Sequence, residues 1–199
     1  MECVVRPHDL LQLSDSARPP RGAPHWVRDA LRAAPWVVVR RASAEPGLVA
    51  VGVRGPDRSA RFAFEIPASD VVAVVTPEEL ARCRSLSDRP ALRALHLIGP
   101  VLDDAHLSWG PTGSVGFELA TDCRTVTLGS DLDLIIRMPR LIQLAVVNEM
   151  VEASVVRIDC QVETPLGAVA LAELASGTAE VLVRTADGPR LIAREDVIT

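Results

Sequence analysis

The chain of 199 residues contains no lysine and no tyrosine, and all 21 of its positively charged side chains are arginine. The absence of lysine excludes a lysine Schiff base and a lysine nucleophile. Any covalent or acid–base chemistry must therefore come from other residue types.

An excess of basic charge is also missing. The formal net charge is −5 and the pI is about 5.4, whereas nonspecific binding to nucleic acid relies on a basic surface. No apolar run approaches the ~18 residues needed to cross a bilayer, and the first residues lack the basic and apolar regions of a secretory signal. We expect a cytoplasmic protein with neither nucleic acid nor membrane as a partner.

Paired cysteines are absent as well. Cys3, Cys83, Cys123 and Cys160 lie far apart, with no C-x-x-C spacing. This pattern argues against a structural zinc site and against a disulfide framework. Reduced thiols are the simple interpretation.

What the chain does contain is a stretch with two acidic residues, Ser130 to Arg137. Asp131 and Asp133 alternate with apolar residues, so on a strand both carboxylates would share one face, with α-carbons about 7 Å apart. Such a pair suits Mg²⁺ or Mn²⁺, and Mg²⁺ in particular binds one or two carboxylates together with water and phosphate oxygens. Taken alone, an Asp-x-Asp pattern is more often a solvated turn than a metal site.

Gly113 and Ser114 precede this stretch and open a segment with helical character. Glycine allows the backbone to approach a phosphate closely, and the N–H groups at a helix N-terminus attract anions. The two features together predict a phosphate-binding loop beside a metal site.

A third carboxylate comes from the segment Val155 to Thr164, which alternates with period two. If this strand lies beside the strand of Asp131 and Asp133, Asp159 joins them as a metal ligand or general base. Glu163 lies on the same face and remains the alternative third carboxylate.

The pattern of elements predicts an α+β chain with two domains. Residues 1–85 form a small, mostly β or mixed N-terminal domain, and residues 86–199 form a helix-framed α/β domain. The segment Ser85 to Pro90 is the predicted junction. In the first domain we predict a helix and three strands: His25–Ala34, Trp36–Ala42, Leu48–Arg54 and Arg61–Ile66.

Further elements are predicted in the second domain. Helices are expected from Pro90 onward, from Pro139 to Glu152 and from Leu166 to Ala175. A final hairpin is expected from the strands Ala179–Thr185 and Arg190–Ala193, because Asp-Gly lies between them.

Arginines cluster in the first domain, on or between neighbouring strands: Arg40, Arg41, Arg54, Arg58 and Arg61. Because guanidinium groups bind phosphate oxygens with two parallel hydrogen bonds, Arg40 and Arg41 are candidate substrate-binding residues. The alternative is that these side chains are solvated strand ends.

The order of these motifs resembles the nucleotidyltransferase superfamily of the DNA polymerase β type. The matching segments are Gly113-Ser114, Asp131-Leu-Asp-Leu134 and Ile158-Asp159-Cys160. More narrowly, the chain resembles the family of phosphoribosyl-dephospho-CoA transferases of malonate decarboxylase, the holo-acyl carrier protein synthases of that complex. The segments that carry this resemblance are Arg6–Leu11, Val38–Ala42, Val51–Gly55, Gly110–Thr121, Ser130–Leu134 and Gly188–Leu191.

The resemblance implies a reaction that spacing alone does not reveal. The donor would be triphosphoribosyl-dephospho-CoA, the acceptor a serine of the acyl carrier protein subunit of malonate decarboxylase, and the leaving group pyrophosphate. It also implies that Asp131, Asp133 and Asp159 serve the metal, and that Gly113 and Ser114 hold the triphosphate. The chain departs from the family pattern at Asp122, where the family has glycine, and at Gln12, where it has an aromatic residue.

Two other functions remain compatible with the residues. One is a nucleotidyltransferase that uses another protein or a small molecule as acceptor. The other is a non-catalytic binding module with the same fold. Two intact aspartates so close together argue against the second, because like charges at short range cost stability.

Overall fold

A computed structural model describes residues 5–55, 60–85, 87–137 and 141–197. The chain forms two compact units, Met1–Thr76 and Pro77–Thr199. The sequence-based division between residues 85 and 86 falls later than this boundary.

The first unit contains one five-stranded antiparallel sheet and one α-helix among its described residues. Its strand order is β4-β3-β2-β1-β5. The elements are β1 (Leu10–Leu13), α1 (His25–Ala33), β2 (Trp36–Val39), β3 (Leu48–Arg54), β4 (Arg61–Pro67) and β5 (Val71–Val75).

Strands β1 and β5 were not predicted. Leu10, Leu11 and Leu13 are all buried, because β1 lies inside the sheet between β2 and β5. A short strand covered in this way shows little alternation of apolar and polar residues. The predicted mostly-β character of this unit agrees with the structure, with Val27 of α1 packed into the core of the sheet.

The second unit contains a six-stranded sheet of order β11-β10-β9-β8-β7-β6. Its first elements are α2 (Pro77–Leu80), α3 (Pro90–Asp104), β6 (Ser108–Pro111), α4 (Gly113–Thr121), β7 (Leu132–Arg137) and α5 (Leu141–Glu152). They are followed by β8 (Ile158–Thr164), β9 (Gly167–Ala170), α6 (Leu171–Ala175), β10 (Glu180–Thr185), β11 (Gly188–Ala193) and α7 (Arg194–Val197). Strands β7 and β8 run parallel, with α5 in the connection between them, and the other described pairs are antiparallel.

The core of the second unit confirms which apolar side chains of strands β7 and β8 were predicted to face inward. Leu132, Leu134 and Ile136 of β7 are buried together with Cys160 and Val162 of β8. Helices α3 and α5 pack against these strands and against each other. Asp133 of β7 and Gln161 of β8 lie between these apolar residues, whereas Ile135 of β7, which also lies between them, is apolar and fully buried.

One predicted helix was wrong in its first half. The segment from Leu166 to Ala175 begins with strand β9 and becomes helical only at Leu171. Gly167 has a φ of 141°, and the Thr164 hydroxyl donates a hydrogen bond to its carbonyl oxygen at 2.8 Å. Antiparallel pairing of β9 with β8 overrides the helical preference of its alanines.

One further boundary differs from the predictions. Strand β7 begins at Leu132, so Asp131 immediately precedes it. Helix α5 is described from Leu141, and the predicted start at Pro139 lies outside the described residues.

Helix α2 belongs to the second unit because it packs on β6. A Cβ atom at Gly110 would overlap the carbonyl group of Pro77, so the absence of a side chain at Gly110 permits this close approach. This contact explains why the division between units lies before Pro77 and not near residue 85.

Asp122 occupies the position after α4 in the left-handed conformation, with φ 57° and ψ 6°. Glycine is the usual residue there, and aspartate tolerates the conformation better than most others. The departure from the family pattern therefore leaves the helix end intact.

Within the described residues, no helix combines the length and the apolar character needed to span a bilayer.

Candidate active site

Asp133 and Asp159 lie directly opposite each other on the parallel strands β7 and β8. Adjacent strands are separated by about 4.8 Å, and residues in register project to the same side. Both side chains are half-buried. The carboxylate of Asp159 has no hydrogen bond or ion pair with any residue that the structure describes. The register thus brings together two of the three predicted carboxylates.

Gly113 lies against the carboxylate of Asp133. Its φ is 58°, and a Cβ atom added at this position would overlap the Asp133 side chain. The preceding residue, Thr112, donates its N–H to the carbonyl oxygen of Asp133 at 2.8 Å. The first turn of α4 is therefore attached to β7 at the candidate site, where its N–H groups favour negative charge.

Ser114 is the second residue of α4 and is buried, with only 6% of its surface exposed. Its carbonyl oxygen accepts a hydrogen bond from the Thr125 hydroxyl at 2.8 Å. Glu118, one turn further on, accepts the N–H groups of Thr125 and Val126 at 2.8 and 2.7 Å. These bonds hold the connection between α4 and β7 against the helix, which positions Gly113 and Ser114 relative to Asp133.

Among the described residues, no three His, Cys, Asp or Glu side chains are grouped so that they could hold a metal ion. Asp131, half-buried, precedes β7 and is not in the strand register. The set of three metal-binding carboxylates therefore stays a prediction. Asp133 and Asp159 nevertheless fit Mg²⁺, which needs only one or two carboxylates when phosphate oxygens complete its shell.

Glu163, the alternative third carboxylate, lies at the other end of the same strand pair. It is in register with Arg137, whose Nη1 lies 3.8 Å from Glu163 Oε2. Arg137 Nε also donates to Glu78 Oε1 of α2 at 2.6 Å. Glu163 is thus part of a largely buried ionic cluster, four residues along β8 from Asp159, about 13 Å away.

Arg137 and Glu78 were not predicted from the sequence as an ion pair. They are far apart in the chain, so no local spacing could have linked them. Their pairing follows from the packing of α2 beside β6 and β7.

A cavity of about 250 Å³ lies next to Asp159. Arg157 and Asp159 contribute to its lining. The rest of its wall is formed by Val151, Ile158, Cys160, Ala170, Leu171 and Ala172.

Cys160 takes no part in the proposed chemistry. Burial and the neighbouring Asp159 charge raise the pKa of its thiol from 9.0 to about 12. A thiol that remains protonated is a poor nucleophile. Cys83, Cys123 and Cys160, the cysteines in the described part of the chain, are all free thiols.

The two candidate arginines belong to the first unit. Arg40 follows β2, and its side chain packs over Gly52. The Arg40 Cδ atom lies 3.4 Å from the position that a Cβ added to Gly52 would occupy. Its guanidinium is exposed and forms no hydrogen bond or ion pair with the described residues. Arg41 is half-buried. Arg58, another member of the predicted cluster, lies outside the described residues.

Comparison with known proteins covers both units. The family model described as the phosphoribosyl-dephospho-CoA transferase MdcG N-terminal domain matches residues 6–77. The model described as the C-terminal domain of the same transferase matches residues 79–195. No solved structure gives a significant match.

Curated relatives match over nearly their whole length. A phosphoribosyl-dephospho-CoA transferase of Pseudomonas putida is 44% identical over 191 residues, covering 94% of this chain and 93% of the relative. Its counterpart in Pseudomonas syringae pv. tomato is 45% identical over 195 residues, covering 96% and 92%. That of Azotobacter vinelandii is 42% identical over 197 residues, covering 95% and 93%. The chain therefore belongs to the phosphoribosyl-dephospho-CoA transferase family.

Proposed function

We propose that the chain transfers the 2'-(5''-phosphoribosyl)-3'-dephospho-CoA group from its triphosphate precursor to a serine of the acyl carrier protein subunit of malonate decarboxylase. The observation that carries this proposal is the register of Asp133 with Asp159, beside Gly113 at the start of α4. Family membership supports the identity of the transferred group, because the relatives are named phosphoribosyl-dephospho-CoA transferases.

The reaction is a substitution at phosphorus. The serine oxygen of the carrier forms a bond to the phosphorus next to the ribose, the bond from that phosphorus to pyrophosphate breaks, and the serine proton passes to a base. Reactions of this type gain most of their rate from positioning and from stabilisation of charge. In this proposal, Asp133, Asp159 and the start of α4 at Gly113 provide positioning and charge stabilisation at one place.

Each residue has a role in this proposal. Asp133 and Asp159, with Asp131 as a third ligand, hold Mg²⁺ or Mn²⁺, and the cation supplies neutralisation of the triphosphate charge. The N–H groups at Gly113 and Ser114 bind phosphate oxygens. The alternative role of Asp159, whose carboxylate has no hydrogen bond or ion pair with the described residues, is that of the base that accepts the serine proton.

We also propose a nucleotidyltransferase-like fold of the polymerase β type and a cytoplasmic location. The fold proposal is supported by three features that this superfamily implies: a Gly-Ser pair at a helix start, a strand with Asp133 and a later strand with Asp159. The free thiols are compatible with action in the cytoplasm.

Mass spectrometry of the carrier tests the proposed function. The apo carrier subunit is mixed with this protein, Mg²⁺ and triphosphoribosyl-dephospho-CoA, and its mass should increase by the prosthetic group while pyrophosphate is released. A carrier whose acceptor serine is replaced by alanine serves as the control and should stay unmodified.

Other outcomes would support the competing functions. Modification of a different protein or of a small molecule, with none on this carrier, would indicate a nucleotidyltransferase with another acceptor. Binding of the donor without turnover on any acceptor would indicate a binding module.

A further inference from the structure

The cavity beside Asp159 lies where strand β8 lacks a neighbour on one side. Pairing of β8 with β9 begins at Gln161, opposite Ala170, and the chain then turns into α6 at Leu171. Ile158 to Cys160 are paired with β7 on their other side. The departure of the chain into α6 leaves a space of about 250 Å³ along the first residues of β8.

The cavity is lined mostly by apolar side chains. Val151, Ile158 and Leu171 line it together with small residues, and Arg157 is its cationic member. Arg157 is exposed, and its side chain forms no hydrogen bond or ion pair within the described part of the chain. Its guanidinium is therefore available to a ligand.

Flat aromatic surfaces for a ligand are scarce in this unit. The chain has no tyrosine, Phe117 of α4 is half-buried, and Trp109 is 3% exposed and donates its ring N–H to Asp103. The cavity lining contains no aromatic residue. A guanidinium plane stacks on nucleobases as aromatic rings do, so Arg157 is the group at this cavity that can cover the face of a base.

We propose that this cavity binds the purine ring of the donor, with the Arg157 guanidinium stacked on the ring and Val151, Ile158 and Leu171 against its edge and opposite face. This inference rests on the proposed function, because it assigns a place to the adenine of dephospho-CoA. It makes Arg157 a specificity-determining residue that selects the donor by its base.

A phosphate group fits this cavity less well than a base. A phosphate there would lie against the apolar side chains that form most of the wall, and burying a charge among such groups is costly. An uncharged planar ring does not carry this cost, and it gains from burial of apolar surface.

Binding measurements with two nucleotides that share their phosphates but differ in their base test this inference. Titration calorimetry with ADP and with UDP, in Mg²⁺, should show tighter binding of ADP to the wild-type protein. Arg157→Lys retains the charge and loses the plane, and it should weaken ADP binding by about fivefold or more while leaving UDP binding nearly unchanged. Arg190→Lys, on the exposed strand β11, is the matched control and should behave as the wild type.

Two results would overturn the inference. One is equal affinity of the wild type for ADP and UDP. The other is unchanged ADP binding by Arg157→Lys together with equal losses for both nucleotides in Arg157→Leu, which would indicate a phosphate ligand.

The transfer assay separates this inference from the proposed function. If the wild type modifies the carrier and Arg157→Leu does so with an unchanged KM for the donor, only the base-binding inference fails. If the wild type modifies no carrier, the proposed function fails, whatever the nucleotides show.

Discussion

The carboxylate of Asp133 occupies the space that a side chain at position 113 would fill. Gly113 has a positive φ, and its α-carbon faces this carboxylate at the first turn of α4. The backbone that is positioned to bind a phosphate and the acid that is positioned to bind a cation are therefore in direct contact.

Replacement of Gly113 by alanine should damage both stability and transfer. The left-handed conformation costs a non-glycine residue about 1 kcal/mol or more, and the new methyl group would displace Asp133. Because a shift of about 1 Å at a reacting centre can cost ~100-fold in rate, kcat/KM should fall at least about tenfold. Urea unfolding and the carrier-modification assay measure the two effects.

Gly177→Ala is the matched control. Gly177 also has a positive φ, at 75°, but a Cβ there would meet no atom within 4 Å. This variant should lose similar stability and keep its transfer rate. A full rate in Gly113→Ala would mean that the contact with Asp133 has no part in the reaction.

Asp159→Asn and Glu163→Gln together identify the third carboxylate. The first change removes a charge next to Asp133 and should reduce kcat about 100-fold or more, which is the size of effect seen when a charge-stabilising group is lost. Glu163→Gln removes a partner of Arg137 and should mainly lower stability. A larger loss of kcat at Glu163 than at Asp159, with both variants folded by circular dichroism, would reverse the assignment.

Arg137→Met should destabilise the second unit strongly. Its guanidinium is the cation between Glu78 and Glu163, and its side chain is 7% exposed. Removing one partner of a buried ion pair leaves charge without compensation and costs about 3–5 kcal/mol. The exposed pair of Arg190 with Asp187 provides the control, since Arg190→Met should change the free energy of unfolding by less than about 1 kcal/mol.

Cys160 should make stability depend on pH in the alkaline range. Its pKa is raised from 9.0 to about 12 in the folded chain, so above pH 9 the unfolded chain loses a proton that the folded chain keeps. The unfolded state then binds fewer protons, and stability falls as pH rises towards 12. Between pH 8 and pH 10, wild type should lose about 1.4 kcal/mol more than Cys160→Ala.

Lysine and tyrosine, which titrate in the same pH range, are absent from the chain, so they add no pH dependence to the free energy of unfolding. Denaturant unfolding at the two pH values gives the difference directly. Equal losses in wild type and Cys160→Ala would show that the thiol has an ordinary pKa.

Replacement of both Arg40 and Arg41 by alanine should raise the KM for the donor or for the carrier. The proposal is that these arginines bind either the phosphates of dephospho-CoA or an acidic surface of the carrier, where complementary charge assists binding. Arg32→Ala is the control in the same unit, because Arg32 is an exposed residue of helix α1 paired with Asp29. An unchanged KM for both substrates would mean that these arginines bind neither of them.

Local patterns predicted the part of the candidate site that depends on alternation. Asp133 and Asp159 lie among apolar residues that repeat every second position, and this repeat was sufficient to predict their strands and the sides that face the core. The prediction only assumed that the two strands are neighbours. The structure shows that β7 and β8 pair, with Asp133 opposite Asp159.

Features that depend on long-range packing could not be predicted in this way. Strand β9 contains alanines that favour a helix, and only its pairing with β8 makes it extended. The contact of Gly113 with Asp133 and the bond from Arg137 to Glu78 join residues that are distant in sequence. The cavity at Arg157 arises from the place where β9 ends, which no local pattern marks.

Strands β7 and β8 form the one parallel pair among the described strands, and a parallel pair requires a crossover through α5. The two aspartates meet only after this crossover has closed, and closing such a loop costs chain entropy before any contact is gained. The repulsion between the two carboxylates then opposes closure further. The candidate site therefore forms only after this crossover has closed, and a chain in which β7 and β8 are not yet paired does not hold Asp133 beside Asp159.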